Sequence, residues 1–211
     1  MTDLPSSYSD MADEYARKFM DELDHKPLDR ELLSRFAARV AGKGPVCDMG
    51  CGPGQIARYL RDCGVNDILG MDIAPGMIEQ ARKLNPDIVF RVGDMRAIEE
   101  QDNAWAGISA FYSIIHIPRE EVADVLREWW RVLKPGGWVL LTIHLGDNVL
   151  HLDQWGETAV SLDYFFFQTQ EMERYLKEAG FIIDEAIERD PYPEVEYQGR
   201  RAYIFARKEA Q

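Results

Sequence analysis

A chain of 211 residues with 46% hydrophobic content is long enough for one compact core and too short for two large ones, so a single domain over 1–211 is expected. Its formal net charge of -13, from 37 acidic against 24 basic residues, repels phosphate backbones and anionic lipid, which argues against nucleic acid and membrane as partners. No run of eighteen apolar residues occurs, and the start MTDLPSSYSDMADEY lacks the basic and apolar blocks of a signal peptide, so a cytoplasmic location is expected.

In chain order, strands alternate with helical stretches, the rhythm of an α/β fold with a mostly parallel sheet covered on both faces. Residues 45–49 form a short apolar run, and QIARYLRDC (55–63) carries helical spacing until Gly64 stops it. DILGMD (67–72) reads as a strand, MIEQARKLN (77–85) as a helix, IVFRVGD (88–94) and AWAGISAFY (104–112) as strands. Pro118 opens a helix that runs to the KPGG turn at 134–137, and WVLLTIHL (138–145) is apolar enough for a strand buried on both faces. A less regular stretch precedes the helix TQEMERYLKEAG (169–180). FIIDEAIE (181–188) and RAYIFARK (201–208) are joined by a Pro-rich loop too short for a crossover helix, so they should pair antiparallel. Trp105, Trp129, Trp130 and Trp138 fall within these periodic segments and read as packing residues. Cys47, Cys51 and Cys63 have no metal-ligand spacing and read as reduced thiols, and no other metal-binding cluster is visible.

The stretch PVCDMGCGPG (45–54) sits where a glycine-rich turn between strand and helix brings backbone N–H groups close to a ligand. Gly50, Gly52 and Gly54 follow G-x-G-x-G, not the dinucleotide pattern G-x-G-x-x-G, and no G-K-[ST] of a phosphate loop follows. Asp48, Asp72 and Asp94 end successive strands and would repel pyrophosphate but suit a cationic, hydroxyl-rich nucleoside, with Asp72 about 20 residues past the loop where a ribose-binding acid is expected. Each aspartate has an alternative as a helix cap or turn former.

VCDMGCGPGQIARYL, ILGMDIAPGMIEQAR, FRVGDMRAI and LKPGGWVLLTIH resemble the successive motifs of class I S-adenosylmethionine-dependent methyltransferases of the small-molecule type. The resemblance implies a Rossmann-like sheet of seven strands ordered 3-2-1-4-5-7-6 with strand 7 antiparallel, and S-adenosylmethionine as cofactor. It implies that the loop from Asp48 to Gln55, Cys51 included, wraps the methionine end. Asp72 would bond both ribose hydroxyls, Ile73 and Met77 would pack on the nucleoside, and Asp94 and Met95 would meet the adenine. The segment Phe111 to Ile115 would pass under the methionine amine. The methylases of exocyclic amines carry [DNS]-P-P-[YFW] after strand four, where this chain has AFYS, which points away from DNA and toward a small molecule with an oxygen, nitrogen or sulfur nucleophile.

Methyl transfer from a sulfonium needs alignment more than acid-base chemistry, and a base helps only a protonated nucleophile. His116 and His144 are the candidates for that base by position. Substrate choice is expected in two regions outside the periodic core, a helical lid segment at 1–44 and an insertion at 147–168. In the first, Ser9 or Asp10 is a candidate cap, Tyr8, Tyr15 and Phe19 a candidate lid face, and Tyr15 a candidate cofactor contact. In the second, Trp155, Tyr164, Phe165 and Phe166 are candidate walls, joined by Tyr112 after strand four. A cofactor-binding sensor without transferase activity, or an NAD-dependent oxidoreductase, would be the competing functions.

Overall fold

The computed structural model describes residues 3–210, so Met1 and Thr2 of the expected lid segment, and Gln211, lie outside the described residues. Seven strands form the main sheet: β1 (Val46–Met49), β2 (Ile68–Asp72), β3 (Val89–Val92), β4 (Trp105–Phe111), β5 (Leu133–His144), β8 (Ile182–Arg189) and β9 (Arg201–Arg207). Their order is β3-β2-β1-β4-β5-β9-β8. The first five are parallel, and β9 runs antiparallel to both neighbours, as expected for the 3-2-1-4-5-7-6 arrangement. β6 (Val149–Trp155) and β7 (Thr158–Phe165) stand apart as an antiparallel hairpin.

Period-two alternation of side chains explains the two apolar layers. Val46, Leu140 and Tyr203 face one core with α3 (Pro27–Val40), α4 (Gln55–Asp62) and α5 (Pro75–Leu84). Their chain neighbours Cys47, Leu141 and Ile204 face the other with α6 (Arg119–Val132) and α7 (Thr169–Glu178). The central strand β1 is buried at all four positions, whereas the edge strand β3 is exposed at three of four. β5 starts at Leu133, before the KPGG turn, which makes a register shift against β4 rather than a clean strand start.

The 1–44 segment divides in two. α1 (Leu4–Asp10) and α2 (Ala12–Phe19) break at Met11 and lie over the carboxyl edge of the sheet, while α3 is a core helix with Leu32, Leu33, Phe36 and Val40 fully buried. Removing a ring such as that of Phe36 would cost about 3 to 5 kcal/mol. Neither Ser9 nor Asp10 starts a helix. Asp3 caps α1, accepting from Ser6 N at 3.3 Å. Ser9 instead accepts from Gly76 N at 3.1 Å, which caps the first turn of α5 from another element. Trp105 and Trp129 are buried as expected, but Trp130 is 37% exposed, with the Lys208 ammonium 3.7 Å above its ring. All three cysteines are free thiols. Among the described residues no helix is long and apolar enough to cross a membrane.

Candidate cofactor and acceptor site

β1, β2 and β4 end at one edge of the sheet, and the loop after β1 is tied there by Gly50 N and Cys51 N donating to Met71 O at 2.7 and 3.0 Å. Its glycines differ in purpose. Gly54 (φ 92°) does not line the cavity described below. A Cβ there would come within 2.8 Å of Phe90 and 2.9 Å of Asn85, so its bareness serves packing. Gly52 (φ 50°) has only Tyr15, 3.8 Å away, near such a Cβ, and it lines the cavity. Gly52→Ala adds left-handed strain of roughly 1–2 kcal/mol and puts a methyl group into ligand space. The variant should keep its circular dichroism spectrum and lose at least tenfold in cofactor affinity by calorimetry.

Asp48, 1% exposed, accepts from Ser109 Oγ at 3.0 Å and from Ala57 N at 3.1 Å. It thereby caps α4 in place of Gly54, which has no side chain to do so. Burial pushes its carboxyl up to about 7. Asp72 takes Ala74 N on Oδ1 and Gly52 N on Oδ2, both at 2.9 Å, and each oxygen keeps a lone pair beyond these bonds. Asp94 is held in a fork by Arg96, with contacts of 3.0 and 2.8 Å.

One cavity of about 630 Å³ runs along this edge, within the range of small-ligand sites. Around one end it gathers Asp48, Gly50, Cys51, Gly52, Gln55 and Asp72 with Ile73, Met77, Asp94, Met95, Phe111, Ile115 and Tyr15. Around the other it gathers Tyr8, Tyr112, His116, His144, Trp155 and Tyr164 to Phe166.

The roof consists of α1, α2 and the β6–β7 hairpin. Tyr15 and Phe19 lie 6.0 and 5.9 Å from Trp155 between ring centres, and Ser161 N donates to Ser7 Oγ at 2.9 Å. The 147–168 insertion is thus regular structure, not the irregular stretch expected. Its apolar residues 150, 152, 160, 162 and 164 alternate on either side of Gly156, a period-two signal with a turn residue that marks a hairpin.

His116 joins the roof to the sheet. Its Nδ1 is 2.9 Å from the Asp163 carbonyl oxygen, which can only accept, so Nδ1 carries the proton. Nε2 then accepts from the Tyr8 hydroxyl at 2.7 Å, and Tyr8 can accept in turn from Tyr164 at 3.2 Å. Burial lowers the His116 pKa to about 4. His144 stacks on Tyr112 at 4.8 Å. Burial, reinforced by Arg201 and Lys26, lowers its pKa to about 3. Both imidazoles are neutral and weak bases. Tyr112 has φ 52°, a left-handed conformation rare for an aromatic residue and one that clusters at functional sites. Its N–H donates to Thr142 Oγ1 at 2.9 Å.

A buried ionic cluster that sequence reading missed closes the acceptor end. Lys26 pairs with Glu22 at 2.5 Å and stands 3.6 Å from Glu196. Glu196 also pairs with Arg201 and Arg189, and Arg201 donates to Tyr197 O at 2.9 Å. The Pro-rich loop between β8 and β9 therefore supplies a cavity wall through Glu196 and Tyr197.

The strand order, the glycine loop and the acidic edge define an α/β protein built to hold a nucleoside cofactor. Residues 46–137 match the family model described as "Methyltransferase domain". The chain is 33% identical over 124 residues to the malonyl-[acyl-carrier protein] O-methyltransferase of Salmonella typhimurium, covering 56% of this chain and 47% of that protein. It is 31% identical over 141 residues to the trans-aconitate 2-methyltransferase of Mycobacterium ulcerans, covering 66% of this chain and 47% of that one. The chain spans about half the length of the curated relatives it matches. A solved structure of a putative methyltransferase in complex with the Haloferax volcanii Trm112 methyltransferase activator superposes with a TM-score of 0.73 at 22% identity, over 98% of each chain. Over residues 46–137 the chain thus resembles a methyltransferase domain, and its fold is that of solved S-adenosylmethionine-dependent methyltransferases. Its cofactor is S-adenosylmethionine, and the residues present fit that group. Gln55 Oε1 is buried without a partner while Gln55 Nε2 donates to Glu22 at 3.1 Å, leaving an acceptor suited to the methionine ammonium beside the bare Cα of Gly52.

Proposed function

We propose that the protein transfers a methyl group from S-adenosylmethionine to an oxygen, nitrogen or sulfur nucleophile of a small molecule. The observation that carries this reading is the roofed cavity, whose cofactor side continues into an aromatic end closed by α1, α2 and the hairpin. That end is lined by aromatic side chains and has room for a small acceptor. One relative is named for malonyl-[acyl-carrier protein] and another for trans-aconitate, and the second name supports a small acidic acceptor.

In this reading Asp72 accepts from the ribose hydroxyls with the lone pairs left over from Ala74 and Gly52. Ile73, Met77 and Met95 wall the base, and Asp94 accepts from the exocyclic amine. Gln55, the Gly50–Gly52 backbone and Tyr15 hold the methionine end, over Phe111 and Ile115. Bound, the cofactor supplies an activated methyl on a sulfonium, and the roof excludes water and aligns the acceptor. Tyr8, Tyr112, Trp155, Tyr164, Phe165 and Phe166 shape the acceptor end. His116 positions Tyr8 rather than meeting the acceptor, because both its ring nitrogens are engaged. The test is to incubate the protein with isotopically methyl-labelled cofactor and metabolite extracts, then identify labelled products by mass spectrometry. Cofactor binding without any labelled product, together with a cofactor-dependent change in affinity for another protein, would replace the enzyme with a sensor.

A further inference from the structure

The acceptor end holds two cations, Lys26 and Arg201, each paired with a carboxylate, and an imidazole, His144, whose Nδ1 has no hydrogen-bond partner. Lys26 and Arg201 are 5% and 1% exposed, and both lie beside the Tyr112 ring, at 5.8 and 5.6 Å from its centre. Arg201 Nε is buried there without a hydrogen-bond partner, a donor that an acceptor-rich group would satisfy. The other groups able to take a proton are already committed. Glu22 holds Lys26 and Gln55, Glu196 holds two arginines, and Asp72 holds two backbone N–H groups. His116 is bonded at both nitrogens, and His144 lies between cations that oppose its protonation. A phenol, an ammonium or a thiol, each mostly protonated at neutral pH, would find nowhere to leave its proton.

We propose that the methyl-accepting group is a carboxylate of a small organic acid, held toward the buried cations Lys26 and Arg201 beside the stacked rings of Tyr112 and His144. This rests on the methyltransferase reading above and narrows it to one acceptor chemistry. A lone pair of a carboxylate oxygen forms the new carbon–oxygen bond to the sulfonium methyl, while the carbon–sulfur bond breaks and its electron pair stays on sulfur. No proton moves. The acid becomes a neutral methyl ester and the sulfonium a neutral thioether, so the charges cancel.

The test uses the full chain, S-adenosylmethionine labelled in the methyl group, and a panel of small mono-, di- and tricarboxylic acids beside a metabolite extract. Methyl esters release their label as volatile methanol in mild alkali, whereas ethers, methylamines and thioethers do not. Alkali-labile label in the product supports the proposal. Alkali-stable label overturns it and leaves the methyltransferase reading standing, while cofactor binding with no labelled product overturns both. With the acid so found, Lys26→Gln should raise its KM at least about tenfold while kcat and the affinity for S-adenosylhomocysteine stay within a few-fold, and Lys26→Arg should restore most of the loss. An unchanged KM in a folded Lys26→Gln protein would remove Lys26 from the binding of the acid.

Discussion

Asp72→Ala is expected to weaken S-adenosylmethionine binding about a hundredfold. The carboxylate already accepts from Gly52 N and Ala74 N at 2.9 Å, so it is fixed before a ligand arrives and pays little ordering entropy. Two charge-assisted bonds to ribose hydroxyls, at about 1.5 kcal/mol each or more, amount to about 3 kcal/mol, or two decades in affinity. Calorimetry with S-adenosylhomocysteine measures the loss, and circular dichroism checks that the loop after β1 has not taken the fold with it. Asp72→Asn, which keeps one acceptor oxygen, should fall between. Wild-type affinity in a folded Asp72→Ala protein would reduce Asp72 to a clamp on the glycine loop.

Excising the β6–β7 hairpin should abolish methyl transfer while sparing cofactor binding. Val149 pairs with Phe165, and Phe166 N donates to Asn148 O at 3.1 Å. A short Gly-Ser turn can therefore replace residues 149–165 without moving β5 or α7. The excision removes Trp155 and Tyr164 from the roof and the Asp163 carbonyl from His116, so the acceptor loses its alignment and its shelter from water. A fall in transfer rate of at least about a hundredfold follows from the weight that orientation carries in such reactions, with cofactor affinity within a few-fold. A shortened protein that transfers methyl groups at the parent rate would show the hairpin to be ornament. The N-terminal helices make a less clean target, because Ser9 caps α5 and Ala12 packs on Ala74 and Met77, so their loss would also disturb the cofactor end.

The strands and the glycine loop were legible because their causes are local. An apolar run, an aspartate and alternating glycines announce β1 and its turn, and the short link between the last two strands permits only an antiparallel pair. The three strand-end aspartates were likewise visible, but their differing work was not. Asp48 serves α4 through Ala57, a partner nine residues on, while Asp94 is forked by Arg96. The hairpin left a period-two trace at Leu150, Leu152, Val160 and Leu162 that polar neighbours obscured. The ionic cluster left none. Lys26 precedes a proline at a helix start, Glu196 sits in a loop and Arg201 begins a strand, and only folding brings positions 26, 196 and 201 into one pair set.

The seam between roof and sheet would set a tempo for the proposed reaction. Tyr8 meets His116 and Tyr164 from across 108 and 156 residues of chain, and Ser7 and Ser9 fasten the same helix to the hairpin and to α5. In the proposed reaction, spent cofactor and methylated product would leave past these fastenings, which would part and re-form in every cycle. Reaction beneath the roof would then outrun exit from it, and rapid-quench experiments should record a burst of about one product per protein before a slower steady phase. Tyr8→Phe, which removes the hydroxyl from the seam, should flatten that burst by quickening the slow phase.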